Sequence, residues 1–130
     1  MAGQCSLRLT RRYAASPDEV WRALTEPESL ARWLGRPNDV ELSAGGHFVL
    51  DLPEGDRVEA RVRELEPERV LELDWRRPGE EPSVVRFELR EEAGRKVLLL
   101  DHSQIDERYG MAYAAFWERL AERLGAEIGS

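Results

Sequence analysis

One cysteine, one lysine and two histidines in 130 residues leave several classes of chemistry without their usual side chains. Cys5 has no partner for an internal disulfide, which points to a reducing compartment, and the expected location is the cytoplasm. No apolar run approaches the roughly 20 residues that a membrane span requires. The N-terminal stretch, with Gln4 and Ser6 leading into a strand-like pattern, does not resemble a secretory signal. His47 and His102 are too few for a zinc site, which takes three or four protein ligands, and no HxH or HExxH spacing occurs, so neither metal nor cofactor is expected. With 26 acidic residues against 19 basic ones, the net charge of −7 argues against a nucleic-acid partner, because neutralising phosphates requires a basic face.

What is present reads as one domain spanning residues 1–130, with 42% hydrophobic and 35% charged residues, an ordinary globular balance. Ser6 to Tyr13 alternates, Leu7 and Leu9 against Arg8, Thr10 and Arg12, which predicts a first strand with one buried face. Ser16-Pro17-Asp18-Glu19 supplies an N-cap, a proline suited to the first helical position and a capping-box glutamate. Val20, Trp21 and Leu24 form the apolar stripe of that short helix. A second begins at Pro27, buries Leu30, Trp33 and Leu34, and ends at Gly35 and Pro37. Strand follows strand from Asp39 to Ile105: Val40 to Leu42, then Phe48/Leu50/Leu52, Val58/Ala60/Val62, Leu71/Leu73/Trp75, Val85/Phe87/Leu89 and Val97 to Ile105. The segments between them carry turn chemistry: Ala44-Gly45-Gly46, Pro53 to Asp56, Glu66-Pro67-Glu68, Pro78 to Pro82 and Ala93-Gly94. If the first strand pairs with the last, the order is 1-7-6-5-4-3-2.

The closing segment, Arg108 to Ala126, places Tyr113, Phe116, Trp117, Leu120, Ala121 and Leu124 on one helical face and Glu118, Arg119, Glu122 and Arg123 on the other. Such a face needs a broad platform, and the alternating strands provide one. The fold class is therefore α+β: a seven-stranded antiparallel sheet wrapped around a long C-terminal helix.

Ser16-Pro17-Asp18-Glu19-Val20-Trp21, Leu24-Thr25-Glu26-Pro27-Glu28, Trp33-Leu34-Gly35, Ala44-Gly45-Gly46-His47-Phe48 and Leu99-Leu100-Asp101-His102-Ser103 occur in this order. Together they resemble the SRPBCC superfamily of START/Bet v 1-like proteins, and most closely its branch related to the activator of Hsp90 ATPase. The resemblance implies the helix-grip fold, β-α-α-β6-α, and an apolar cavity between sheet and closing helix. Where relatives carry Gly-Trp in that helix, this chain has Ala115-Phe116 followed by Trp117.

Candidates to line the cavity are Trp33, Phe48, Leu50, Trp75, Phe87, Leu99, His102, Tyr113 and Trp117; the competing reading is that they pack together as a solid core. His102 beside Asp101 is open to two readings, a catalytic group or a strand residue hydrogen-bonded near the cavity mouth or exposed. Cys5 has no evident base, Ser16 is a cap, and Gly45-Gly46 is a turn lacking the residues of a phosphate loop, so no catalytic residue is expected. The expected function is non-catalytic binding of a small hydrophobic or amphipathic ligand. The resemblance implies two alternatives: a chaperone-associated role in the stress response through an Hsp90-type ATPase, or a cyclase- or hydrolase-like cavity enzyme. A homodimer is among the expected partners.

Overall fold

Alternation makes the sheet. In the computed structural model, which describes residues 3–38, 43–53, 55–93 and 95–128 (with nothing said of the side chains of 95 and 96), seven antiparallel strands form one sheet. They are β1 (Gln4–Tyr13), β2 (Arg36–Asn38), β3 (His47–Asp51), β4 (Arg57–Glu66), β5 (Val70–Arg76), β6 (Ser83–Glu92) and β7 (Arg95–Asp106). Their order, β1-β7-β6-β5-β4-β3-β2, is the one the sequence predicts. β7 is apolar on both faces because it lies inside the sheet, between β1 and β6.

The inner face carries Leu50, Val58, Val62, Leu73, Trp75, Val85, Phe87 and Leu100, all buried. On the outer face arginines pair with carboxylates across the strands: Arg63 with Asp74 at 2.9 Å, Arg86 with Glu64 and Glu72 at 2.9 Å each, and Arg8 with Asp101 at 2.9 Å. Exposed pairs of this kind add little stability singly, but they keep the open face of the sheet wet.

Three helices cover the inner face. α1 (Pro17–Thr25) starts with the expected capping box: Ser16 Oγ accepts from the Glu19 amide at 3.2 Å, and Glu19 Oε1 accepts from the Ser16 amide at 3.4 Å. α2 (Pro27–Trp33) is tied to α1 by the Trp33 indole, which donates to the Ala23 carbonyl at 2.7 Å. Past α2, Gly35 lies so close to β3 that a Cβ there would sit 3.0 Å from the Asp51 carbonyl oxygen. α3 (Gly110–Ile128) starts two residues later than the sequence suggests. A 3-10 turn, Glu107–Tyr109, precedes it, capped by Asp106, which accepts from the Arg108 amide at 3.0 Å. Tyr113, Phe116, Trp117, Leu120 and Leu124 of α3 are buried against the sheet.

The second strand departs from expectation. It runs over Arg36–Asn38 and pairs with β3, whereas the predicted Val40–Leu42 lies outside the described residues. Pro37, read from the sequence as a helix terminator, is tolerated within β2 because this is an edge strand, where a missing amide donor leaves no ladder bond unmade.

Candidate functional site

Under the first half of α3 the sheet and helix meet in a layer of rings. Trp75 of β5 is fully buried at its centre, with ring centroids 5.4 Å from Trp117, 6.2 Å from Phe116 and 6.1 Å from His102. His102 lies edge-on to Tyr113 at 4.5 Å, and Phe87 bridges Trp117 at 6.0 Å and Trp33 at 6.3 Å. These are mostly the edge-to-face geometries aromatic pairs favour. Trp75, His102 and Tyr113 are all buried within this layer.

The polar atoms in this layer have one consistent hydrogen arrangement. The Trp117 indole can only donate, and it donates to His102 Nδ1 at 2.9 Å. In the neutral ring the proton therefore sits on Nε2, which donates to Ser83 Oγ at 2.7 Å. The Ser83 hydroxyl in turn donates to the Trp75 carbonyl at 3.2 Å. His102 is wholly buried rather than exposed or at a mouth, and this burial lowers its pKa to about 3. A Ser–His nucleophilic pair requires the opposite polarity, with the hydroxyl donating to a free imidazole nitrogen. Here that nitrogen is occupied by Trp117, so the pair is structural.

At the N-terminal end of α3 the layer reaches solvent through Tyr113. Its hydroxyl accepts from the Trp75 indole at 3.2 Å and donates to Glu80 Oε1 at 2.6 Å. Burial, reinforced by Glu80, pushes the Tyr113 hydroxyl well above the ordinary phenol range. Glu80 is held there by the turn Arg77-Pro78-Gly79-Glu80, closed by the Glu80 amide on the Arg77 carbonyl at 3.1 Å. Proline second and glycine third, with Gly79 at φ 82°, suit a type II turn. The same turn sets the Arg77 guanidinium over the rings of Tyr113 and Phe116, 5.8 and 5.7 Å from their centroids, while it pairs with Asp56. Asp56, Arg77, Glu80, Tyr109 and Tyr113 border a surface pocket of about 180 Å³.

Under the second half of α3 the packing does not close fully. Trp33, Phe87 and Trp117 meet Leu98, Leu100 and Leu124 around a residual cavity of about 20 Å³, room for about one water molecule. Leu9, Tyr13 and Ala121 complete its apolar wall, and Arg11 lies at its rim. The Tyr13 hydroxyl donates to the Ala121 carbonyl of α3 at 3.1 Å, and Arg11 pairs with Glu118 of α3 at 2.9 Å.

The structure thus brings Trp33, Phe87 and Trp117 to a cavity and Trp75, His102 and Tyr113 to the ring layer beside it. Phe48 and Leu50 are buried in the core on β3, away from that cavity. Leu99 does not line it. Leu98 and Leu100 face inward, so Leu99 faces the outer groove with Arg8, Arg86 and Asp101. His47 is exposed on β3, four strands across the sheet from His102, and the described residues contain no cluster of three metal-binding side chains. Sequence reasoning missed Ser83, Arg77, Glu80 and Arg11. The Pro78-Gly79 pair signals that residues 77 and 80 flank one tight turn, but only the β6–β7 register sets Val85 opposite His102 and so brings Ser83, two residues earlier, within reach of it.

Solved structures place this architecture among known ones. CalU16 from Micromonospora echinospora superposes with a TM-score of 0.85 and is 32% identical, over 96% of this chain and 76% of its own. DynU16, from the dynemicin biosynthetic locus, gives 0.84 and 27% over 96% of this chain and 47% of its own. The Aha1 dimer from Colwellia psychrerythraea gives 0.76 at 19% identity, over 95% and 96%, a likeness of fold alone. No functionally curated protein matches the sequence significantly, and among the described residues no helix is long and apolar enough to cross a membrane. The family model for activator of Hsp90 ATPase homolog 1-like proteins matches residues 14–129, nearly the whole chain, and with the helix-grip sheet and its closing helix this makes the chain a member of that family within the SRPBCC superfamily.

Proposed function

We propose that the protein binds a small apolar or amphipathic molecule between the sheet and the second half of α3, without transforming it. The observation that carries this reading is the residual cavity between Trp33, Phe87 and Trp117, where apolar side chains from sheet and helices face one another without closing. At about 20 Å³ it is the closed state of such a site. A ligand enters as the end of α3 moves outward, against the Tyr13 hydrogen bond and exposed ion pairs such as Arg32 with Glu127 at 2.7 Å. Binding without chemistry agrees with the polarity of the Ser83–His102 pair, which leaves no activated nucleophile. The family description also raises a chaperone ATPase as partner, but the site geometry favours the ligand reading.

Native mass spectrometry of protein isolated from its own cells tests the proposal. A retained small molecule is expected, and Ala121→Leu, which fills the cavity from a partly exposed helix position, should lose it while the protein stays folded. Absence of any adduct on the unaltered protein, or an adduct indifferent to Ala121→Leu, would overturn the reading.

A further inference from the structure

Among the described residues, Arg11 is the one charged side chain bordering the apolar cavity. One edge of the guanidinium is fixed: Nη1 donates to the Thr10 carbonyl at 3.0 Å. The other edge, Nη2, meets Glu118 Oε2 at 2.9 Å across the seam between β1 and α3. The arginine side chain is 34% exposed and the glutamate 58%, so the pair straddles the rim, with the carboxylate outermost. A planar guanidinium anchored on one edge presents the other to a carboxylate in a set direction.

Building on the ligand reading above, we propose that the cavity takes an apolar carboxylate, whose head group replaces Glu118 on Arg11 while its hydrocarbon part enters between Trp33, Phe87 and Trp117. Glu118 then acts as a built-in competitor: it satisfies Arg11 when the site is closed and swings into solvent when the ligand arrives. The exchange swaps one carboxylate for another on the same donor, so the charge balance at the rim is unchanged. An apolar amine would meet Arg11 as a like charge, and an alcohol would leave the Arg11–Glu118 pair in place and gain nothing from it.

Decanoate and decanol serve as probes, titrated at low salt against the Trp fluorescence of the wild type, Arg11→Met and Glu118→Gln. Arg11→Met keeps the apolar stem against the cavity wall, Glu118→Gln alters only an exposed helix position, and circular dichroism verifies that both are folded. In the wild type the swap of one carboxylate for another should leave decanoate and decanol within about twofold of each other. Glu118→Gln should bind decanoate roughly three- to fivefold more tightly than decanol, about the contribution of one partly exposed charge pair. Relative to the wild type, Glu118→Gln thus tightens decanoate and leaves decanol unchanged, whereas Arg11→Met, with the Glu118 carboxylate still at the rim, should bind decanoate no more tightly than decanol. Equal affinity of Glu118→Gln for the two probes, or a preference for decanoate in Arg11→Met, would overturn the carboxylate inference and leave the ligand reading standing. Failure of both probes to bind any of the three proteins would overturn both.

Discussion

Glu68 holds the third position of the turn Glu66-Pro67-Glu68-Arg69 with φ at 64°, and the Arg69 amide closes the turn on the Glu66 carbonyl at 2.9 Å. It is built like the Arg77–Glu80 turn, with proline second, but a side chain with a Cβ stands where the other has Gly79. Left-handed backbone costs an ordinary residue about 1 kcal/mol, which glycine escapes. Glu68→Gly should therefore stabilise the protein by about 1 kcal/mol, less the greater chain entropy that glycine loses on folding. A higher urea midpoint at unchanged slope would show it. Leu99 illustrates what a single residue does not disclose. Val97 to Leu100 is apolar at both parities, so periodicity gives no inner face, and only the register with β1, which sets Leu99 opposite Thr10 and Leu100 opposite Leu9, assigns Leu98 and Leu100 to the core. His102 follows that parity inward, and Gln104, at φ 59°, then marks the bulge after which Ile105 turns back into the core.

At the level of elements, the start of α1 is the most legible feature because its chemistry is local. Ser16 and Glu19 are three residues apart and need no tertiary information to find one another. Ser16→Ala should cost about 1 kcal/mol and Ser16→Gly only a few tenths, since glycine suits the N-cap backbone while lacking the hydroxyl. Thermal unfolding of the two variants side by side separates lost hydrogen bonding from lost conformation. α1 braces Trp33 through the Ala23 carbonyl, so the weaker cap is also felt at the wall of the cavity. Strand pairing was legible from parity and turn spacing. The placement of β2 was not, because a three-residue edge strand containing Pro37 carries almost no pattern. The polar half of the site was hidden for a related reason: Arg77 and Glu80 look like solvated loop residues until the turn folds them over Tyr113.

For the whole molecule, burial of an uncharged histidine sets the response to acid. His102 titrates near its ordinary 6.5 in the unfolded chain and near 3 in the fold, so below pH 6.5 the unfolded state binds the extra proton. Its contribution to stability is complete above pH 6.5 and is lost progressively as pH falls toward 3, at up to about 1.4 kcal/mol per pH unit. Carboxylates held low by their partners, such as Glu88 beside Arg90 and Asp106 beside Arg108, add to acid sensitivity only lower, where carboxylates protonate. Unfolding free energy should thus decline between about pH 6.5 and 4.5, ahead of the carboxylate range. His102→Gln, less stable at neutral pH, should show a flat profile over that interval. Equal slopes for the two proteins would place the acid response elsewhere.

The hydrogen bonds from Trp117 through His102 and Ser83 to Trp75, and from Trp75 through Tyr113 to Glu80, have a mechanical consequence. If α3 slid by one turn, about 5.4 Å, the Trp75 and Trp117 indoles, the Tyr113 phenol and His102 Nδ1 would lose their partners together, at about 1–3 kcal/mol for each buried group, while His102 kept Ser83. The helix therefore has a single seat on the sheet. It is fastened through residues 113–117, while among its described polar ties beyond them are the Tyr13 hydroxyl and the ion pairs of Arg11 with Glu118 and Arg32 with Glu127. A ligand entering as proposed above would open such a helix as a door opens. It would swing the Ala121–Ile128 edge outward about a jamb made of Trp75, His102 and Tyr113.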